Sequence, residues 1–125
     1  MLTVTAADFA NLSLIESPAL ARLLERAKVA PFDGFPPDIV TMYSRVLCID
    51  VQTGERRVLR LVYPTDKPKD EGDVSVVAPA GLALLGRHAG CEIQWHGEQG
   101  KVCRLKVEAI LYQPEQDLRT NLISV

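Results

Sequence analysis

The sequence has 125 residues, of which 47% are hydrophobic and 24% are charged, and these proportions are ordinary for a globular protein. The formal net charge is -2, from 14 basic and 16 acidic residues. This balance argues weakly against nucleic acid as the main partner, because phosphate binding requires a positive surface. The sequence shows no basic leader and no long apolar run, so we expect a cytoplasmic protein without a signal peptide or membrane span.

The first thirty residues carry two helix start signals. Thr5 can cap a helix with Asp8 three positions later, and Ser17 can cap a second helix that begins with Pro18. Apolar side chains follow each start at helical spacing, namely Phe9, Leu12 and Ile15 in the first helix and Leu20, Leu23, Leu24 and Ala27 in the second. We therefore predict two short helices that form a helical hairpin.

The chain then changes character in a proline-rich segment over residues 30–38, which cannot continue a helix. We predict a connector here and a domain boundary between two segments, 1–37 and 38–125. The tip of the hairpin carries Glu16 and Ser17.

After the connector, the hydrophobic period changes from helical to alternating, which is typical of strands. The sequence predicts five strands, over residues 40–51, 56–63, 73–77, 91–96 and 101–113. A short helix over Ala80–Leu85 lies between the third and fourth strands and is stopped by Gly86. The order indicates an α+β domain in which a curled antiparallel sheet wraps around one short helix. In the last strand we expect one buried face, made of Cys103, Leu105, Val107, Ala109 and Leu111.

Residues for catalysis or metal binding are scarce. The histidines are His88 and His96, and the cysteines Cys48, Cys91 and Cys103 have no paired spacing that would indicate zinc or a disulfide framework. We expect reduced cysteines, no metal, no cofactor and no enzymatic activity.

Four arginines fall on two neighbouring strands and could form a basic patch, namely Arg45, Arg56, Arg57 and Arg60. A solvated sheet face is the simpler interpretation. If the patch has a partner, an acidic protein surface suits it as well as RNA does.

Four segments in order resemble the Rnk family, the regulators of nucleoside diphosphate kinase, whose C-terminal half is similar to the Gre transcript-cleavage factors. They are VTMYSRV (40–46), LVYP (61–64), VSVVAPAGLALLG (74–86) and YQPE (112–115). The resemblance covers roughly residues 38 to 115. It implies an FKBP-like fold for the C-terminal domain and a transcription regulator that binds RNA polymerase at its secondary channel. It implies neither sequence-specific nucleic acid binding nor a membrane.

The resemblance also implies a docking segment. Gre factors contact the polymerase partly through a polar residue and a proline just before the short helix. The proline matches Pro79, whereas the polar position falls on Val77 and is not kept. We therefore expect polymerase contact through Val77, Ala78, Pro79 and Ala80.

The hairpin departs further from the Gre pattern. Each arm has about a dozen residues at most and reaches only about 15–18 Å, and Glu16 is the one carboxylate in its turn. In Gre factors a longer hairpin carries acidic residues that help to hold a catalytic magnesium in the polymerase. We therefore predict a protein that can compete with Gre factors without stimulating transcript cleavage.

The sequence also allows two alternatives, an FKBP-like prolyl isomerase and a general protein-interaction module. An isomerase requires an aromatic-lined apolar pocket. Within residues 40–125 the aromatic side chains are Tyr43, Tyr63, Trp95 and Tyr112. This set can contribute to a core but is sparse for a proline pocket. The sequence indicates neither the oligomeric state nor a direct contact with nucleoside diphosphate kinase.

Overall fold

The computed structural model describes residues 2–117 of the chain. The last eight positions of the predicted 38–125 segment lie outside the described residues. In chain order the elements are β1 (Thr3–Thr5), α1 (Ala6–Leu12), α2 (Pro18–Glu25), β2 (Lys28–Ala30), β3 (Arg45–Asp50), β4 (Arg56–Val62), β5 (Asp73–Ser75), α3 (Pro79–Leu84), β6 (Glu92–His96) and β7 (Val102–Tyr112).

Both predicted helix starts are present. The Thr5 side-chain oxygen accepts from the Asp8 N–H at 3.0 Å. Ser17 accepts in the same way from the Leu20 N–H at 3.3 Å, and Pro18 occupies the first turn of α2. The helices have seven and eight residues, so each is only about 10–12 Å long.

The two helices are flanked by strands that the sequence did not indicate. β1 and β2 pair in parallel, with Thr3 opposite Lys28 and Thr5 opposite Ala30, and α1 and α2 form the crossover between them. Each strand has three residues, which is too short for an alternating pattern to be recognised. The N-terminal segment is therefore a small β-α-α-β unit that contains the two helices.

The larger sheet has the order β5-β4-β3-β7-β6. Its pairs are antiparallel except for β4 with β5, which is parallel. The predicted α+β class, with one short helix against the sheet, is confirmed. The first predicted strand begins later than expected, at Arg45, because residues 40–44 form a turn in which Tyr43 has a φ of 65°.

Alternation in β7 holds only as far as Val107. Cys48 lies opposite Val107 but its neighbour Leu47 lies opposite Ala109, so the register shifts by one residue. Such a bulge moves the following side chains to the other face. Ala109 and Leu111 were predicted on the buried face and this is wrong: after the shift Ile110 lies opposite the buried Val46, whereas Ala109 lies opposite Leu47 and Leu111 is 55% exposed.

One hydrophobic cluster joins the N-terminal unit to the sheet. Val4, Leu12, Leu20 and Leu24 belong to the same buried cluster as the side chains of α3 and of the inner sheet face, among them Val40, Val46, Cys48, Leu61, Leu84, Leu85, Ile93, Leu105 and Val107. The helices therefore cover the core with their apolar faces. Independent folding of the segment after residue 37 stays a prediction.

A polar seam, made of Asp8, Thr41, Ser44 and Glu115, closes the contact between α1 and the turn before β3. Asp8 Oδ2 accepts from the Met42 N–H at 3.1 Å. The Thr41 hydroxyl donates to Glu115 Oε1 at 2.6 Å, and the Thr41 N–H donates to Ser44 Oγ at 2.9 Å. Burial raises the pKa of Asp8 to about 6, and the nearby Glu115 adds to the shift.

Candidate functional site

The corner of Val77, Ala78, Pro79 and Ala80, which we call the docking corner, connects β5 to α3. The preceding Val76 is fully buried, Val77 is half-buried against the core, and Pro79 is exposed. The corner is held by two short-range bonds to Ser75, from the Val77 N–H to Oγ at 3.3 Å and from the Ala78 N–H to the carbonyl oxygen at 3.0 Å. It presents a rigid proline to solvent.

Proline suits this position for a local reason. Ala78 is the N-cap of α3 with extended backbone (φ −72°, ψ 153°) and offers no side-chain cap. The next residue is the first of the helix, where an N–H would have no intrahelical acceptor. Pro79 therefore starts the helix without losing a hydrogen bond.

A close backbone approach fixes the helix against the strand end. A Cβ on Gly81 would overlap the carbonyl oxygen of Ser75. Only glycine permits this packing. Because Gly81 belongs to the first turn of α3, the docking corner cannot move relative to β5 without disrupting buried structure.

A groove with a volume of about 400 Å³ runs beside the docking corner, between the start of α3 and the inner face of the sheet. Apolar side chains of Leu59, Val74, Ala80, Trp95 and Leu105 line it. Charged side chains of both signs surround this apolar floor, namely Asp50, Glu55, Arg57, Lys101 and Arg104. The groove can accept an amphipathic protein segment.

The groove does not resemble an aromatic proline pocket. Trp95 is the aromatic side chain among its lining residues. Tyr43 and Tyr112 line a different cavity, and Tyr63 packs against Tyr43 and the core. The structure therefore gives the isomerase alternative no support.

The predicted hairpin tip contains no acidic pair. Glu16 is exposed, whereas Ser17 is occupied as the cap of α2. The carboxylate of Asp8 is turned inward and bonded to the Met42 N–H. Within residues 2–117 no group of three or more His, Cys, Asp or Glu side chains is placed to hold a metal ion.

Three of the four arginines, Arg45, Arg56 and Arg60, lie on the outer face of the sheet, and Arg57 lies on the other face. Arg45 and Arg60 lie opposite each other on β3 and β4. Arg60 makes two bonds to Asp73, at 2.9 and 2.6 Å, and these hold the pKa of the Asp73 carboxyl well below its usual range. Arg57 lies opposite the buried Cys48 in the β3–β4 register. It is therefore on the inner face of the sheet, at the rim of the groove. Alternation along β4 explains the division.

The histidines and cysteines have structural surroundings. His88 lies 3.5 Å from Asp38, and His96 is exposed at the end of β6. Cys48 is fully buried, which raises the pKa of its thiol to about 11. Cys91 and Cys103 are free and half-buried. In the described part of the chain, none of the helices has the length and apolar character that crossing a membrane would need.

The chain matches known proteins over most of its length. Residues 36–112 match the family model of the transcription elongation factor GreA/GreB C-terminal domain. The regulator of nucleoside diphosphate kinase of Escherichia coli strain K12 is 40% identical over 111 residues, which is 82% of each chain. The GreA of Syntrophobacter fumaroxidans is 40% identical over 57 residues, which is 46% of this chain and 36% of that protein.

Solved structures of related proteins are also similar to this chain. The prokaryotic transcription elongation factor GreA/GreB from Nitrosomonas europaea superposes with a TM-score of 0.73 at 32% identity, covering 89% of this chain and 98% of that one. GreA factor homolog 1 of Thermus thermophilus, at 20% identity and a TM-score of 0.53, shares the fold. The chain is therefore a member of the GreA/GreB transcription elongation factor family, with similarity to the regulators of nucleoside diphosphate kinase along most of its length.

Proposed function

We propose that this protein is a cytoplasmic transcription regulator that binds RNA polymerase at the secondary channel through the docking corner. It competes there with Gre factors and does not stimulate transcript cleavage. Its relatives are named as transcription elongation factors and as regulators of nucleoside diphosphate kinase. We propose no catalytic role and no cofactor for the chain itself.

The observation that carries this proposal is the exposed, rigid Pro79 beside an apolar groove. An interface concentrates its binding energy in a few central residues on a preformed surface. The docking corner meets this requirement because Gly81 and Ser75 fix its backbone. The charged rim of the groove can orient a partner segment that carries both charge signs.

We expect Pro79→Asn to weaken binding to core RNA polymerase about thirtyfold, which corresponds to about 2 kcal/mol. The change replaces an exposed proline with a polar, flexible side chain. Binding should be measured by titration of labelled protein with polymerase, together with the thermal unfolding midpoint of each variant.

The matched control is Pro31→Asn, which alters an exposed proline of the connector. It should bind polymerase as the parent does. If Pro79→Asn also binds as the parent does at unchanged stability, the docking surface lies elsewhere on the molecule. A Gre factor added as competitor should displace the parent protein from polymerase.

We expect backtracked transcription complexes to cleave their RNA no faster with this protein than without it. The helices are only about 10–12 Å long, and their apolar faces are buried in the core. The tip presents the single carboxylate of Glu16, which is insufficient to hold a second metal ion. The measurement is RNA shortening on a gel, with a Gre factor as the positive control. Acceleration that disappears in Glu16→Ala would contradict this prediction.

A further inference from the structure

A second cavity lies away from the docking corner, at the opposite face of the sheet. It has a volume of about 560 Å³, which is within the usual range for small-molecule sites. Four cationic side chains and one carboxylate line it. They are Arg45, Arg60, Lys67, Lys69 and Asp66, together with the rings of Tyr43 and Tyr112.

Tyr43 is held in place by its neighbours, and Tyr112 lines the same cavity. Tyr43 has a φ of 65°, a conformation that is uncommon and strained for a bulky side chain. Its hydroxyl donates to Asp66 Oδ2 at 2.7 Å, and its ring lies 5.6 Å from that of Tyr63. Tyr43 remains 38% exposed and Tyr112 40% exposed. Both rings are therefore available to a planar ligand.

The cationic side chains of the cavity differ in whether a carboxylate of the protein already binds them. Lys67 and Lys69 are exposed, and neither makes an ion pair with any of the residues that the structure describes. Arg45 has one loose contact, 3.5 Å from an exposed Asp70. Such a pair contributes little stability, so a phosphate can displace the aspartate. The site thus offers three positive charges that are not committed to the fold.

Two further residues keep the cavity in shape. Arg60 is fixed by two bonds to Asp73, whose side chain is 1% exposed. Asp66 is occupied by the Tyr43 hydroxyl and by the Tyr63 N–H at 2.9 Å. These two bonds fix the position of the Asp66 carboxylate, which keeps its negative charge, so the cationic side chains around it must outweigh that charge when an anion binds.

We propose that this cavity binds a nucleoside polyphosphate. The base stacks against Tyr43 and Tyr112, since an aromatic side chain accepts any base face. The phosphates bind Lys67, Lys69 and Arg45, which supply charged donors. A simple anion would use the cations alone and leave the aromatic surface unexplained.

Isothermal titration of the whole protein at low salt tests the proposal, with ADP, CDP, pyrophosphate, adenosine and a short oligoadenylate as probes. We expect ADP and CDP to bind with a Kd below about 1 mM. Pyrophosphate and adenosine should each bind more weakly, because each uses half of the site. The double variant Lys67→Ala/Lys69→Ala should lose at least about tenfold in ADP affinity. Tyr112→Leu should lose about fivefold or more.

Lys28→Ala is the control, because Lys28 is an exposed lysine on β2 and does not line the cavity. It should bind ADP as the parent does. Equal affinity for pyrophosphate and ADP would overturn the proposal, since the base would then contribute nothing. So would the absence of saturable ADP binding, unchanged ADP affinity in the double variant, or tighter binding of the oligoadenylate than of ADP.

Discussion

Replacing Asp8 with asparagine should stabilise the protein at neutral pH by about 2 kcal/mol. Burial raises the pKa of Asp8 from 3.8 to about 6, and a shift of this size corresponds to roughly 3 kcal/mol. The charged form also gains about 0.3–1 kcal/mol from the N-terminal end of α1, and asparagine gives up this gain. Asparagine keeps an acceptor for the Met42 N–H but carries no charge to bury.

The sign of the pH dependence follows from the raised pKa. Below about pH 4 Asp8 is protonated in the folded and the unfolded chain, so burial costs little. Between about pH 4 and 6 the unfolded chain releases the proton while the folded chain keeps it, and the free energy of unfolding falls as pH rises. Above about pH 6 the whole penalty is present. The pKa of Asp73 is lowered in the folded protein. Below about pH 4 Asp73 therefore makes the free energy of unfolding rise as pH rises.

Urea unfolding at about pH 5 and about pH 7.5 measures this effect without interference from Asp73. The parent should lose stability between the two conditions, and Asp8→Asn should lose less. Asp33→Asn, which removes an exposed carboxylate of the connector, should keep the parental difference. A parent-like pH difference in Asp8→Asn would show that Asp8 is not buried as a charge.

A fragment that starts at residue 38 should unfold cooperatively but at a lower temperature than the full chain. The large sheet and α3 lie entirely after that position. Deletion of the N-terminal unit, however, uncovers part of the shared core. Each buried aliphatic side chain contributes about 1.5–3 kcal/mol, and the entropy saved by not ordering the deleted residues offsets only part of this loss. A fragment without a cooperative transition would contradict the predicted boundary.

Single substitutions in the full chain measure the contribution of individual buried side chains without deleting the N-terminal unit. Leu12→Ala and Leu20→Ala remove fully buried side chains and should each cost about 2–5 kcal/mol. Leu14→Ala is the matched control, because Leu14 lies between the helices and is 83% exposed. It should change the free energy of unfolding by less than about 0.5 kcal/mol.

Local signals predicted much of this fold. Thr5 and Ser17 predicted the two helix starts, because capping depends only on residues within one turn. Alternation predicted the β3–β4 hairpin, and the glycine stop at Gly86 predicted a short helix over Ala80–Leu85, which the structure places one residue earlier, at Pro79–Leu84. The order of four short motifs then indicated the family, and the family match over residues 36–112 confirmed it.

Features that depend on distant residues were not predictable. β1 and β2 pair across more than twenty positions of sequence, and neither strand is long enough to show a period. The bond from Thr41 to Glu115 joins residues 74 positions apart. The bulges in β7 move Leu111 outward although its spacing from Val107 is that of one strand face. The cavity beside Tyr43 likewise depends on a turn and on the end of β7, which only the folded chain brings together.

The shared core has a consequence for how fast this protein meets a partner. Because Leu12, Leu20 and Leu24 anchor both helices, no arm of the described chain can swing out ahead of the rest. The two helices therefore approach a partner together with the sheet, and a single docking surface must find its orientation. Association that needs one specific orientation typically proceeds at about 10⁵–10⁷ M⁻¹s⁻¹. Under the proposed competition with Gre factors, the lifetime of the complex with polymerase then determines how long the competitor is excluded.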